Sequence, residues 1–253
     1  MGDIFTNILV SAGTSFATKA IDAPIRTFND IWDISLGNYF HALNDKSKIK
    51  HQVQIDDFKN KLAEDILKIA KEKLQEPKIS IIGPALEASK YYFDEKEIRD
   101  MFVKLIASSM DSTYNGLVQH SFVEIIKQLS PYDAKLFASL NKVEPIVTFE
   151  KGFDYGYFRR VNPQGVYSSV NDFFYRNDYF KDLKLNEISI NNLIRLGLLK
   201  IQKRVPMTDI NEIMIATYYE KYEIEKSPTF EKSTLKITSF GQAFKDVCLK
   251  DSL

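Results

Sequence analysis

Three histidines, one cysteine and a short run of asparagines and basic residues are the groups in this chain with chemistry to offer. His41, His51 and His120 lie far from one another and from Cys248, so no pair has the spacing at which imidazole and thiolate share a zinc ion. His120 and Glu124, one helical turn apart, are the acid–base pair most worth weighing. The same two residues suit a helix start equally well. No G-x-S-x-G turn, glycine-rich phosphate loop or H-E-x-x-H pair is present, which turns the reading away from catalysis and calls for no metal or cofactor. Cys248, among Phe244, Val247 and Leu249, reads as a buried structural thiol. What remains is Asn191, Asn192 and Arg195 at helical spacing, followed by Lys200, Lys203 and Arg204. Asparagine can pair with adenine and arginine with guanine in a major groove, while lysines alongside meet phosphates. These six are the candidate nucleic-acid-binding residues. Asp209, Glu212, Glu220, Glu223 and Glu225, on the segment that follows, oppose DNA.

The elements that must position them form a recognisable order. Residues 185–196 have the period of a helix with Ile188, Leu193 and Leu196 inward, closed by Gly197 as a left-handed cap. Strands are expected over 198–205, 216–224 and 235–238, then a last helix capped by Ser239. A helix ending in Leu-Gly-Leu-Leu and passing into strands and a helix resembles the winged-helix layout, so residues 185–253 are expected to form a winged-helix-like α+β module. Residues 141–184, rich in aromatics, glycine and proline, read as an irregular connecting segment with a hairpin or edge ribbon over 152–160.

Residues 1–140 read as a multi-helix domain, which makes the fold class mainly α. Its centre runs from Pro77 to Leu140. Asp94 with Glu97, and Ser121 with Glu124, read as capping boxes. Behind them Ile98, Met101, Phe102, Leu105, Ile106 and Met110, then Phe122, Ile125, Ile126 and Leu129, share apolar helix faces. Ser130-Pro131 opens a third helix, with Asp133 near its positive end. Upstream, Ile4 to Ala20 keep helical spacing. Pro24 restarts the chain into a stripe of Ile25, Phe28, Trp32, Leu36, Tyr39 and Leu43. A charged helix is expected over 54–74, its Lys61, Asp65 and Lys68 on a solvated surface, ended by Glu76-Pro77. Gly83-Pro84 should break the next one.

Lys plus Arg and Asp plus Glu balance at 34 each in the 253 residues, so no long-range field draws the whole chain to nucleic acid or an anionic membrane. Without a disulfide partner for Cys248, a secretory leader or an apolar run of about 20 residues, the chain is expected in the cytoplasm. Residues 1–44 carry more acid than base, the wrong sign for a membrane-lying helix, and membrane binding is not expected.

Three stretches resemble the abortive-infection alpha proteins of bacteria and their mobile elements: Glu76-Pro77-Lys78-Ile79-Ser80-Ile81-Ile82-Gly83-Pro84-Ala85-Leu86, the helix from Glu97 through Asp111, and His120 through Pro131. The tail from Leu235 to Phe244 is similar to that family's ending. The resemblance implies phage resistance, in which infected cells stop growing or die before progeny are released. It implies no catalytic residues. The expectation is a non-enzymatic defence factor that binds a host or phage protein, with self-association through helix faces. The alternatives are a winged-helix DNA-binding regulator or adaptor using Asn191, Asn192 and Arg195, and a membrane-acting toxin using its first twenty residues.

Overall fold

Helices dominate the described residues, 19–37, 45–140, 143–149, 183–203 and 230–249 of this computed structural model. In chain order they are α1 (Lys19–Trp32), α2 (Asp45–Leu67), α3 (Ile79–Ser89), α4 (Lys96–Ser109), α5 (Ser121–Ile126), α6 (Pro131–Ser139), α7 (Leu183–Arg195) and α8 (Ser239–Cys248). The strands are β1 (Val143–Phe149), β2 (Leu199–Lys203) and β3 (Phe230–Ile237). The chain divides into two compact units, Met1–Ala138 with Ala243–Leu253, and Ser139–Gln242. The apolar stripe of the first eighteen residues, Tyr39 and Leu43, the hairpin over 152–160 and the strand over 216–224 all fall outside the described residues.

In the first unit α4 is buried on almost every side. Ile98, Met101, Phe102, Val103, Leu105, Ile106 and Met110 are each no more than 1% exposed, and a large apolar side chain buried so fully contributes about 1.5–3 kcal/mol. Phe122, Ile125 and Ile126 of α5 and Leu129 after it are buried too, as their spacing predicted, and Leu136 and Phe137 of α6 join them. The second half of α8 joins this core, where the Phe244 ring meets Phe122 edge-on at 5.2 Å and lies 6.2 Å from Phe137. A second aromatic chain runs Phe28, Trp32, Phe58, Phe93 at 6.0, 5.8 and 5.6 Å.

Only one of the three expected helix starts is capped reciprocally. The Ser130 amide donates to Asp133 Oδ2 (2.8 Å) and the Asp133 amide to Ser130 Oγ (3.1 Å), with Pro131 at the first helical position. Asp94 does not cap α4, whose N-cap is Glu95 without a side-chain bond. Glu97 instead reaches Lys135 on α6 at 2.9 Å. Burial on its own would raise that carboxyl, but the Lys135 ammonium and the Glu97 amide outweigh it and hold it below its ordinary 4.5. Ser121 likewise does not cap; His120 holds the N-cap without a side-chain bond, and Glu124 pairs with Lys127 at 3.0 Å.

The charged face of α2 is not the solvated surface that its mixed signs suggested. Asp57, Lys61 and Asp65 stand at successive four-residue steps and face α4, where Arg99 bonds Asp57 (2.6 Å), Lys61 bonds Asp100 (2.7 Å) and Lys104 bonds Asp65 (2.9 Å). Arg99 is only 8% exposed and also donates to the Phe93 carbonyl. Burial works to lower Lys61, yet its bonds to Asp100 and Asp57 hold it above its ordinary value.

Several helix boundaries differ from expectation, the first being the start of α2, which lies at Asp45 and not at residue 54. The helix ends at Leu67, not Leu74, because the backbone there finds other partners: Gln75 donates to the Met110 carbonyl (2.9 Å) and Ser112 to the Lys73 carbonyl (2.8 Å). Gly83-Pro84 does not break α3, which runs through Pro84 with Ile81, Ile82, Ala85 and Leu86 buried on either side. Glycine before proline carries no Cβ to clash with the ring, which removes much of the usual barrier. Nor does Pro24 restart the chain, since α1 begins at Lys19 and continues through it.

In the second unit the strands form an antiparallel sheet ordered β1-β3-β2. β1 is a regular strand inside the stretch expected to be irregular. Gly197, at φ +74°, ends α7, its amide donating to the Ile194 carbonyl (2.9 Å) and that of Leu198 to the Leu193 carbonyl (3.0 Å). That is a complete Schellman cap. Thr238, not Ser239, caps α8, its Oγ1 accepting from the Gly241 amide at 2.8 Å. The Leu198 carbonyl oxygen lies 2.1 Å from where a Gly241 Cβ would stand.

Replacing Asp57 by alanine leaves the enclosed Arg99 charge without its carboxylate. We expect a loss of about 2–3 kcal/mol in urea unfolding. Lys68→Ala, which removes a mostly exposed partner of Asp65, should cost about 0.5 kcal/mol or less. Equal losses would show that the Arg99–Asp57 bond is no stronger than a solvated pair.

Candidate functional site

Of the six residues singled out in the sequence, those that the structure describes are divided between α7 and β2. On α7, Ile190 and Leu193 are fully buried and Ser189 nearly so, whereas Ile188 is 57% exposed. Ile188 was expected inward. Leu193 is held inward by the cap that buries Leu198, and five residues at about 100° each carry Ile188 well round the helix from it. The outward face therefore consists of Ile188, Asn191 and Arg195 at three- and four-residue steps. Asn192 is not an independent hydrogen-bonding group, because its Oδ1 accepts from Arg195 Nη2 at 2.8 Å and from Nε at 3.2 Å.

Past Gly197 the strand period takes over. Lys200 is exposed on β2 while Leu199 beside it is buried. Lys203 holds a strand position of the opposite parity, so the two lysines do not share a face of the sheet. Arg204 lies outside the described residues. The structure adds a lysine that sequence reasoning missed: Lys236 on β3 is exposed and directly opposite Lys200. Strand alternation within 235–238 marks Lys236 as outward, but nothing local says that it faces Lys200.

In the first unit a cleft of about 190 Å³ lies between the end of α2, the second half of α4, the turn after it and the last turns of α8. Asp65 lies at its base, only 10% exposed, and bonds both Lys104 and Lys68 at 2.9 and 3.0 Å. Asp111 and Asp246 line the same cleft, and the Asp111 carboxylate accepts from the Thr113 amide at 2.8 Å. Two lysines thus meet the Asp65 charge, and the lining as a whole holds three aspartates to two lysines. Among the described residues no group of three or more His, Cys, Asp or Glu could hold a metal ion.

The acid–base pair suggested by spacing is also rearranged. His120 Nε2 lies 2.9 Å from Ser80 Oγ, on the exposed surface, and Glu124 turns to Lys127. A hydroxyl and an imidazole at that distance could exchange a proton. Among the described residues, however, no carboxylate orients the ring. Cys248 is completely buried, and that burial alone pushes its thiol well above the ordinary value.

A helical unit organised on one enclosed helix and a unit with a small antiparallel sheet define a mainly α-helical protein, in which no described helix is long and apolar enough to cross a membrane. The profile of the abortive infection alpha family matches residues 50–248, which covers most of the chain. The chain belongs to that family, and membership points to abortive-infection defence. No curated protein and no solved structure is matched.

The state of Cys248 can be checked directly. We expect native protein to resist an aromatic disulfide reagent at pH 8 and to release one equivalent of thiolate only in denaturant, because neither access nor ionisation favours attack. Rapid labelling of the native protein would place the thiol in a different environment.

Proposed function

We propose that the protein is an abortive-infection factor that acts in the cytoplasm by binding a host or phage component, foremost a protein, rather than by catalysis. The family match over residues 50–248 carries this reading, because it spans the enclosed helix and its neighbours together with the tail. The arrangement of charge supports it as well. Asp65 in the cleft is met by two lysines and the Ser80–His120 pair lies open to solvent, while α7 offers an outward face with an exposed isoleucine flanked by polar groups. Exposed apolar side chains among polar ones suit protein recognition. Self-association through helix faces is compatible with the same reading. Challenge of expressing and non-expressing cells with a phage panel is the test. Fewer plaques, with death or arrest of the infected expressing cells, is the expected result, and equal plaque numbers and survival throughout would sink it.

A second reading is favoured by one observation. The strand order β1-β3-β2, with α7 leading straight into β2 through a left-handed glycine, is compatible with a winged-helix-like module, in which the helix before β2 would enter a major groove. Under this reading Arg195→Ala weakens binding to duplex DNA about tenfold or more. Unchanged affinity in that variant would remove the helix from any role in DNA recognition.

A further inference from the structure

Asn115 and Gly116, in the turn after α4, form the one Asn-Gly step in the chain, and both are exposed. Gly116 stands at φ +88°, and a Cβ built on it would meet nothing within 4 Å, so its backbone lies open. The Gly116 amide donates to no described residue. The Asn115 side chain is held by a partner 40 residues away in the chain: Gln75 Nε2 donates to Asn115 Oδ1 (2.9 Å), and Asn115 Nδ2 donates to Gln75 Oε1 (3.0 Å). Gln75 Nε2 also donates to the Ser109 carbonyl at 3.2 Å. A carbonyl only accepts, so Ser109 fixes which end of the Gln75 amide is nitrogen and thereby orients Asn115. Asn115 sits at φ −58°, ψ 126°, which turns the Gly116 nitrogen away from the Asn115 side chain.

We infer that Asn115 is a site of self-modification whose timing is set by Gln75. Asparagine is thermally labile, and its loss of ammonia needs the next backbone nitrogen to reach the side-chain carbonyl carbon, an approach that glycine leaves unobstructed. The Gly116 nitrogen bonds to Asn115 Cγ and gives up its proton, the side-chain amide leaves as ammonia, and a five-membered imide closes. Water opens that ring at Cγ to give aspartate, or at the backbone carbonyl to give isoaspartate, whose main chain runs on through Cβ and Cγ. One water enters and one ammonia leaves, with no oxidation or reduction. In the closed turn the backbone angle and the paired amide both delay the attack. Local opening releases both. The pair cannot form again afterwards. A carboxylate only accepts, so it sets an oxygen against Gln75 Oε1, and Gln75 cannot turn over without losing Ser109. Asp111 and Tyr114 of the same turn line the cleft. Conversion therefore adds a negative charge next to a wall that already holds three aspartates to two lysines.

The test is peptide mapping of the full chain after incubation at neutral pH, as native wild type, as wild type in urea and as Gln75→Ala. Circular dichroism melts establish that the native samples are folded. Trypsin releases Leu105 to Lys127, in which Asn115 is the sole asparagine, and mass spectrometry reads the amide replaced by an acid. We expect acid at position 115, with isoaspartate exceeding aspartate. The urea sample should convert fastest and native wild type slowest, with folded Gln75→Ala about fivefold faster than native wild type, the effect of removing one neutral hydrogen-bonded pair from a local opening. Asn115→Asp should melt below wild type, yet cost little more when made in the Gln75→Ala background, where the opposing oxygen is gone. Equal rates in native and urea-treated wild type, a folded Gln75→Ala that converts no faster than wild type, or no acid at position 115 in any sample would each overturn the inference. The first comparison uses wild type alone and decides even where Gln75→Ala does not fold.

Discussion

Because α4 is enclosed, the charged groups that it carries into the packing, Arg99, Asp100 and Lys104, need partners supplied by a neighbour. A helix buried on one stripe can send its charges to water; α4 has apolar residues around nearly its whole circumference and leaves Arg99, Asp100 and Lys104 along the seam with α2. Unpaired charge in such a place costs several kcal/mol, whereas a hydrogen-bonded pair comes close to balance. The three bonds therefore act less as a source of net stability than as a restriction on register. Sliding α2 by one residue would set Asp57, Lys61 and Asp65 against the wrong groups. Phe58 and Leu62, on the apolar side of the same helix, are locked in place by the same restriction.

The second unit depends on backbone fit more than on charge. Leu198 donates its amide to the Leu193 carbonyl, its carbonyl accepts from the Thr238 amide at 3.0 Å, and Gly241 packs directly against it. One residue thereby joins the end of α7, the end of β3 and the beginning of α8. A left-handed residue at 197 and a residue without a side chain at 241 are both required. Glycine meets the first demand without strain and the second by having no Cβ.

These constraints also bear on function. The residues that satisfy them are core, cap and seam, and they include much of the stretch from Glu97 to Pro131 that resembles the family. Family membership thus describes a shared scaffold as much as a shared action. Exposed groups outside that packing include Ile188 and Asn191 on the outward side of α7 and Lys200 and Lys236 on neighbouring strands. An abortive-infection protein needs at least one surface through which infection is sensed or a target reached, and these are surfaces that the packing does not consume.

The apolar period alone was enough to show that residues 77–140 make a helical core, that Phe102, Leu105, Ile125 and Leu129 point inward, and that Gly197 ends a helix. Each of these follows from interactions within a few residues or from a face that must leave water. The same holds for Ser130-Pro131-Tyr132-Asp133, whose cap is complete within four residues. Local rules failed wherever a distant partner outbid a near one. Glu97 took Lys135 in place of its own helix start, residues 73–75 took the backbone after α4 in place of another helical turn, and the charges of α2 took α4 in place of solvent. The site followed the same division: composition and helical period brought Asn191 and Arg195 to notice, whereas pairing Lys236 with Lys200 needed a strand register spanning more than thirty residues of chain. Sequence spacing reports which groups are neighbours along an element, and only the folded chain decides which neighbours across space satisfy a charge or a hydrogen bond at lower cost.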